Sequence, residues 1–298
     1  RDVSTDGRHA TVVFTKDWQE DAARRDFTMN TLLADIEGHI YDPTGRGIED
    51  LQAGKVIFVG EPEQRIREDY LRILRFFRFY ASYGEGAPDL PALEACQKLS
   101  GHIKSLSKER ITQEFFKILM AGKVIEVLEL MKQYNVLEDV VGGDLSDLQR
   151  LVLRQKEYNQ VDLDARLFAL LHRKENLISS FFVLSNQQKK FLNQLDTLKT
   201  EWSSGSSVKE LIYRYGKDLS VQYILLFYPA EKTSEAIRII NTWEVPKAPV
   251  NGADLLEIGI DSGKGMGKLL SEIEKWWIEK DFIPDKAECL KYLKTLLG

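Results

Sequence analysis

Residues 64–83 read QRIREDYLRILRFFRFYASY. At 100° per residue, Ile66, Tyr70, Ile73 and Phe77 fall in one apolar stripe, while Arg65, Glu68, Asp69, Arg72 and Arg75 gather on a face roughly 150° away. The spacing predicts one amphipathic helix. Its charged side has two readings. One is a solvated face with ion pairs from Glu68 and Asp69 to Arg72, each worth about 0.3 kcal/mol. The other starts from the row Asp69, Arg72, Arg75, Arg78, in which arginines repeat every three residues beyond an acid, among Phe76, Phe77, Phe79 and Tyr80. Guanidinium groups held so close repel one another, and an anionic ligand such as a triphosphate or a nucleic-acid backbone relieves the repulsion. An Asp and an Arg one turn apart also match a base edge. Cytosine and adenine each present an amino donor beside a ring acceptor, whereas uracil and guanine present a carbonyl beside a ring N–H. Asp69 accepting and Arg72 donating would therefore select C and A together.

Upstream of this helix the pattern is mixed. Residues 9–15 (HATVVFT) have the β-branched run of a strand, and 18–25 (WQEDAARR) read as a short charged helix. Residues 31–35 and 39–42 flank a turn at Gly38 and predict a hairpin that Pro43 ends; 55–60 (KVIFVG) is a further apolar run. Beyond Pro62 helical periodicity continues almost to the end, with polar breaks near 84–91, 142–145, 203–207 and 246–252. The stretch 202–207 is read as a loop between helices. The expected class is α+β, mainly α.

Composition narrows the field. A chain of 298 residues is long for one core, and 43% hydrophobic with 29% charged residues is the make-up of a folded globular protein. Apolar runs such as 223–228 fall far short of the ~18–20 residues that cross a bilayer, and no signal-peptide pattern opens the chain, so no membrane association and a cytoplasmic location are expected. Cys96 and Cys289 lack metal spacing, as do His9, His39, His102 and His172. With 41 basic against 46 acidic residues the net charge is −5, so any polyanion site must be local.

Four motifs then appear in order: RRDFTMNTL at 24–32, DPTGRGIEDL at 42–51, EDYLRILRFFRF at 68–79 and SKERITQEFFKIL at 107–119. In this order they resemble the class II CCA-adding enzymes and their relatives, the bacterial poly(A) polymerases; the stretch 251–282 is similar to the tail of such enzymes. The resemblance implies a polymerase-β-like nucleotidyltransferase head over 1–60, present in its C-terminal part, a helical neck with the nucleotide-selecting helix over 61–122, a body over 123–202 and a tRNA-binding tail over 203–298. It implies nucleotide contacts at Arg25, Asp26, Asp69, Arg72, Arg75 and Arg78, a head–neck hinge at Asp42, Gly45 and Asp50, and neck bracing by Glu109, Arg110 and Glu114. The implied partners are tRNA, CTP and ATP, and the implied reaction is in-line attack of an RNA 3′-hydroxyl on the α-phosphate with two magnesium ions.

The family's metal carboxylates come from a D-x-D after a glycine-rich helix start. The one D-x-D here, Asp162-Leu163-Asp164, lies in the helical half and reads as a helix entrance. No catalytic or metal-binding residue is therefore expected in this chain. The expectation is a chain inactive alone, with the metal-binding head segment supplied by a longer product or a separate chain. Poly(A) addition is the alternative activity, and a non-catalytic RNA- or nucleotide-binding module the alternative of another class. In the tail, the glycines around Lys264 suit an RNA phosphate or a tight turn, and Trp276 and Trp277 are read as core.

Overall fold

The computed structural model describes residues 2–5, 10–12, 17–172, 182–202, 207–260 and 263–297. They fall into two compact units, Arg1–Asn193 and Gln194–Gly298. The expected class holds: a few short strands open the chain and helices make up nearly all the rest.

In the first unit β1 (Asp2–Thr5) pairs antiparallel with β2 (Ala10–Val12), which lies within the strand expected over 9–15. After α1 (Trp18–Ala23), β3 (Leu33–Ala34) and β4 (Ile40–Tyr41) form the expected hairpin, with Gly38 at φ +89° in the turn. The hairpin is shorter than predicted because Thr28–Thr31 coils into a 3-10 turn, closed by Thr31 Oγ1 donating to Thr28 O at 2.7 Å. Residues 55–60 make a single bridge, Phe27 with Phe58, rather than a strand.

The helix predicted over 64–83 is two helices, α3 (Pro62–Glu68) and α4 (Leu71–Tyr83), following α2 (Gly47–Gln52). The break is Asp69, extended at φ −156°, ψ 106°, with its Oδ1 accepting from Leu71 N at 3.1 Å. A short carboxylate competes with helical backbone bonds and favours a helix start, a local preference that the periodicity of the flanking apolar residues conceals. Ile66, Ile73 and Phe77 are nonetheless fully buried, as the stripe requires.

The helices α5 (Leu90–Leu99), α6 (Lys108–Met120), α7 (Val124–Gln133), α8 (Val136–Val140), α9 (Ser146–Glu157) and α10 (Leu163–Leu171) complete the packing, α6 lying against α4 and α5 against α3. Phe27 lies with its ring 4.8 Å from Phe58 and 5.1 Å from Phe79, and Phe58 stacks on Phe76 at 5.9 Å. This aromatic knot ties the strand-bearing segment to α4. Where α2 starts, a Cβ at Gly47 would come within 2.6 Å of Thr28 O and 2.9 Å of a Leu32 methyl. Gly47→Ala is therefore expected to destabilise the unit by about 1–3 kcal/mol, read as a lower urea midpoint. A wild-type midpoint would show that this approach relaxes freely.

After α11 (Asn186–Glu201), the second unit contains α12 (Val208–Tyr215), α13 (Lys217–Phe227), α14 (Ala230–Thr242), α15 (Gly252–Glu257), α16 (Lys264–Glu279) and α17 (Lys286–Leu297). Leu255, Ile273, Trp277 and Leu293 are buried together, and Trp276 stacks on Tyr292 at 4.4 Å, so Trp276 and Trp277 are both engaged in packing. Residues 203–206 and 261–262 of the two expected loops lie outside the described residues, as does the Lys264 side chain. No helix among the described residues is long and apolar enough to cross a membrane.

Candidate functional site

A cavity of about 570 Å³ opens in the first unit. The segment after α1 contributes Arg25, Asp26 and Asn30 to its wall, the α3–α4 break contributes Asp69, α4 contributes Arg72, Arg75 and Phe79, and the first turn of α6 contributes Arg110. Four arginines against two aspartates make it locally cationic in a chain of net charge −5.

Each acid in the wall is held by cations and amides. Asp26, 7% exposed, accepts from Phe27 N at 3.0 Å, from Asn30 Nδ2 at 2.8 Å and from Arg75 Nε at 2.6 Å. Arg25 is fixed by donation to Asp21 at 3.0 Å and to Asn30 O at 2.7 Å. Hydrogen bonds from Arg24 and Arg25 hold the Asp21 carboxyl below its ordinary range. Asp69 Oδ2 accepts from Arg110 Nη2 at 2.7 Å, so Arg110, expected only in the neck brace, stands at the cavity.

The foreseen Glu68–Arg72 pair forms at 2.7 Å, but no Asp69–Arg72 pair does. Arg72 donates instead from Nη1 to Arg65 O at 2.9 Å and from Nη2 to Arg24 O at 2.9 Å. With the Glu68 bond, three of its five N–H donors are engaged; Nε and one Nη2 hydrogen stay available.

Arg78, expected at the nucleotide, lies off the cavity wall. Its Nε is 2.6 Å from Glu114 Oε2, and its guanidinium sits 4.2 Å over the Phe79 ring. Spacing at i+3 rotates each arginine backward around the helix, and by the fourth position the side chain has turned into the α4–α6 seam. Glu114 also meets Lys117 at 3.2 Å and Arg75 at 4.0 Å, bridging the two helices. Glu109, by contrast, is exposed and pairs with no described residue.

Of the expected hinge residues, Asp42 and Gly45 share one bonded turn and Asp50 is held separately. Asp42 Oδ1 accepts from Thr44 Oγ1 at 2.9 Å and Gly45 N at 3.0 Å, and its Oδ2 accepts from Ile48 N at 3.1 Å. Gly45 adopts φ +70° in this turn. Asp50, fully buried, accepts from Thr28 Oγ1 at 2.7 Å.

Burial pushes the Asp42 carboxyl up, but the N–H groups of Ile48 and Gly45 with the Thr44 hydroxyl prevail and hold it below its ordinary value. Burial opposes the Arg72 and Arg65 hydrogen bonds at Glu68 with the same outcome. A depressed folded-state pKa stabilises above the unfolded value, near ~4, and that contribution disappears as pH falls through the folded value. Tm should hold level down to about pH 5 and fall below about pH 4. The acid loss should be smaller in Asp42→Asn with Glu68→Gln, and an unchanged acid limb in that variant contradicts the assignment.

The described residues do not fit a magnesium ion. Asp26 and Asp69 each already hold an arginine where a cation would sit. Asp162 caps α10 through Ala165 N at 2.7 Å, as expected of a helix entrance. Asp164 accepts from Gln188 at 2.7 Å, with burial pushing its carboxyl up towards the neutral form. Asp35, Glu37 and His39 come together at the exposed hairpin tip, where the Asp35 carboxylate is taken up by His39, Tyr41 and the Glu37 N–H.

A cationic cavity beside a strand-bearing segment, backed by stacked helices, suits a polyanionic ligand such as a triphosphate. Residues 1–57 match the family model described as "Poly A polymerase head domain", and 91–141 the one described as "Probable RNA and SrmB- binding site of polymerase A". The chain is 32% identical to "CCA tRNA nucleotidyltransferase 1, mitochondrial" of Mus musculus, over 98% of this chain and 70% of the relative. It is 31% identical to the CCA-adding enzyme of Enterococcus faecalis, over 94% of this chain and 71% of that one. The crystal structure of the Bacillus stearothermophilus CCA-adding enzyme in complex with CTP has the same fold, with a TM-score of 0.75 at 24% identity over 95% of this chain and 75% of that one. The chain belongs to the class II CCA-adding enzyme family.

Proposed function

We propose that the cavity holds CTP or ATP for addition of CCA to tRNA 3′ ends, with Asp69 and Arg72 selecting the base. The observation that carries this is the convergence of Asp69 and Arg72 on one cationic cavity, each oriented by groups other than its partner. Asp69 keeps lone pairs for an amino group, and Arg72 keeps Nε–H for a ring acceptor. Arg25, Arg75 and Arg110 offer charge for phosphates, and Phe79 an apolar wall. Relatives that are CCA-adding enzymes along nearly this whole chain favour CCA addition over poly(A) addition, and the RNA-binding family match supports contact with tRNA. Some of these relatives carry a mitochondrial name, so an organelle is as consistent with the chain as the cytoplasm.

Titrating the chain with the four nucleoside triphosphates tests the reading. CTP and ATP should bind about 5- to 150-fold more tightly than UTP and GTP, the range of one well-placed bidentate pair. Equal affinities for all four would overturn it. The two acids of the cavity, Asp26 and Asp69, are each taken up by an arginine, so the chain by itself is expected to bind nucleotide without transferring it. Incorporation of labelled ATP by this chain into tRNA lacking its terminal A, with magnesium present, would overturn that part.

A further inference from the structure

Arg65 has no counterpart among the residues expected at the site, yet it shares Glu68 with Arg72, offers Arg72 its own carbonyl and binds the carbonyl next to the one Arg72 takes at the end of α1. Its side chain, 16% exposed, sits beneath the cavity wall and reaches three separate pieces of chain. Nε donates to Val59 O at 2.9 Å, Nη1 to Glu68 Oε2 at 2.6 Å and Nη2 to Ala23 O at 2.5 Å. Arg72 has three acceptors. One is the Arg65 carbonyl itself, the second is the same Glu68 oxygen, and the third is Arg24 O, adjacent in the chain to the carbonyl that Arg65 holds. The two carbonyls belong to the C-terminal end of α1, where a helix leaves acceptors without partners, so two arginines from the α3–α4 segment complete it.

The consequence is geometric. A bidentate match to a base edge survives only small errors in the position and tilt of the guanidinium. Arg72 cannot hold that tilt by its own long side chain; it is held because Glu68, the Arg65 carbonyl and the end of α1 stay in place.

We infer that Arg65 is a positioning residue for base selection: it locks Glu68 and the last turn of α1 so that Arg72 presents its free N–H groups to cytosine or adenine. The inference rests on the proposed role of Arg72. Arg65 itself is not among the residues lining the cavity.

The test measures the affinity of the full chain for CTP, ATP, UTP and GTP in the wild type, Arg65→Met, Arg65→Lys and Arg72→Ala, with thermal unfolding of each. Met keeps the aliphatic stem and removes all three donations, while Lys retains a cation able to serve Glu68 or one carbonyl. The expected result is a CTP-to-UTP preference reduced about 10-fold in Arg65→Met and partly restored in Arg65→Lys. The wild-type preference should be lost in Arg72→Ala. A merely structural Arg65 would weaken all four nucleotides alike, or lower Tm with the ratio unchanged; either outcome overturns the inference while leaving the role of Arg72 standing. If Arg65→Met does not fold, a wild-type ratio in Arg65→Lys overturns it equally, because the lysine cannot reproduce the three-way fork. A wild type without preference overturns the base-reading proposal and this one with it.

Discussion

Replacing Glu114 by alanine is expected to lower the stability of the first unit by about 3 kcal/mol, the low end for removing one partner of a buried ion pair. Glu114 is 5% exposed on α6 and faces Arg78, with Lys117 and Arg75 at its edge. Arg78 Nε and Glu114 Oε2 are both buried and lack any well-aligned hydrogen bond, so Coulomb attraction is what compensates their desolvation. Without the carboxylate, Arg78 would stay over the Phe79 ring as an unpaired cation, one turn from Arg75, and Arg75 would lean on Asp26 alone. Replacing both Arg78 and Glu114 by methionine should recover most of the loss, since an apolar pair of similar volume removes the uncompensated charge. Urea unfolding decides: an unfolding free energy for Glu114→Ala within about 0.5 kcal/mol of wild type would mean that the seam does not depend on this pair.

Asp69→Ala is expected to abolish discrimination between CTP and UTP, and between ATP and GTP, bringing both ratios close to one. The energy at stake is about 1–3 kcal/mol, the worth of one bidentate base contact. Two side effects accompany the change. Leu71 N loses its acceptor, costing about 1 kcal/mol as the loss of a hydrogen bond does, and Arg110 loses its partner. Both act on every nucleotide alike, so the ratio of affinities isolates the base contact. Asp69→Asn is the sharper variant. It keeps an oxygen for Leu71 N but offers an amide donor to the carbonyl of uracil, and the CTP-to-UTP preference should shrink or invert. Retained wild-type ratios in both variants would remove Asp69 from base selection.

Much of this was legible locally. The mixed opening segment, the hairpin at Gly38, the Asp162 cap, the buried stripe of Ile66, Ile73 and Phe77 and the core role of Trp277 all follow from neighbours within a turn or two. Arg25, Asp26, Asp69, Arg72 and Arg75, singled out along the chain, do line one cavity. Asn30 was missed, although it stands four residues after Asp26 and holds its carboxylate. The signal was available in the same motif, as an amide within reach of a buried acid.

By itself, then, the sequence determined the class of fold, the family and the helix face on which the arginines lie, because periodicity and motif order are properties of nearby residues. Only the tertiary structure decided what each charge does. Arg110 meets Asp69 across 41 positions, Arg65 meets the Ala23 carbonyl across 42 and Arg72 the Arg24 carbonyl across 48. A long flexible cation has several acids within reach along its own helix. Which one it takes depends on the low-dielectric surroundings and the unpaired carbonyls that other segments bring to it. The same packing bends the predicted single helix at Asp69 and turns Arg78 from the cavity into the α4–α6 seam.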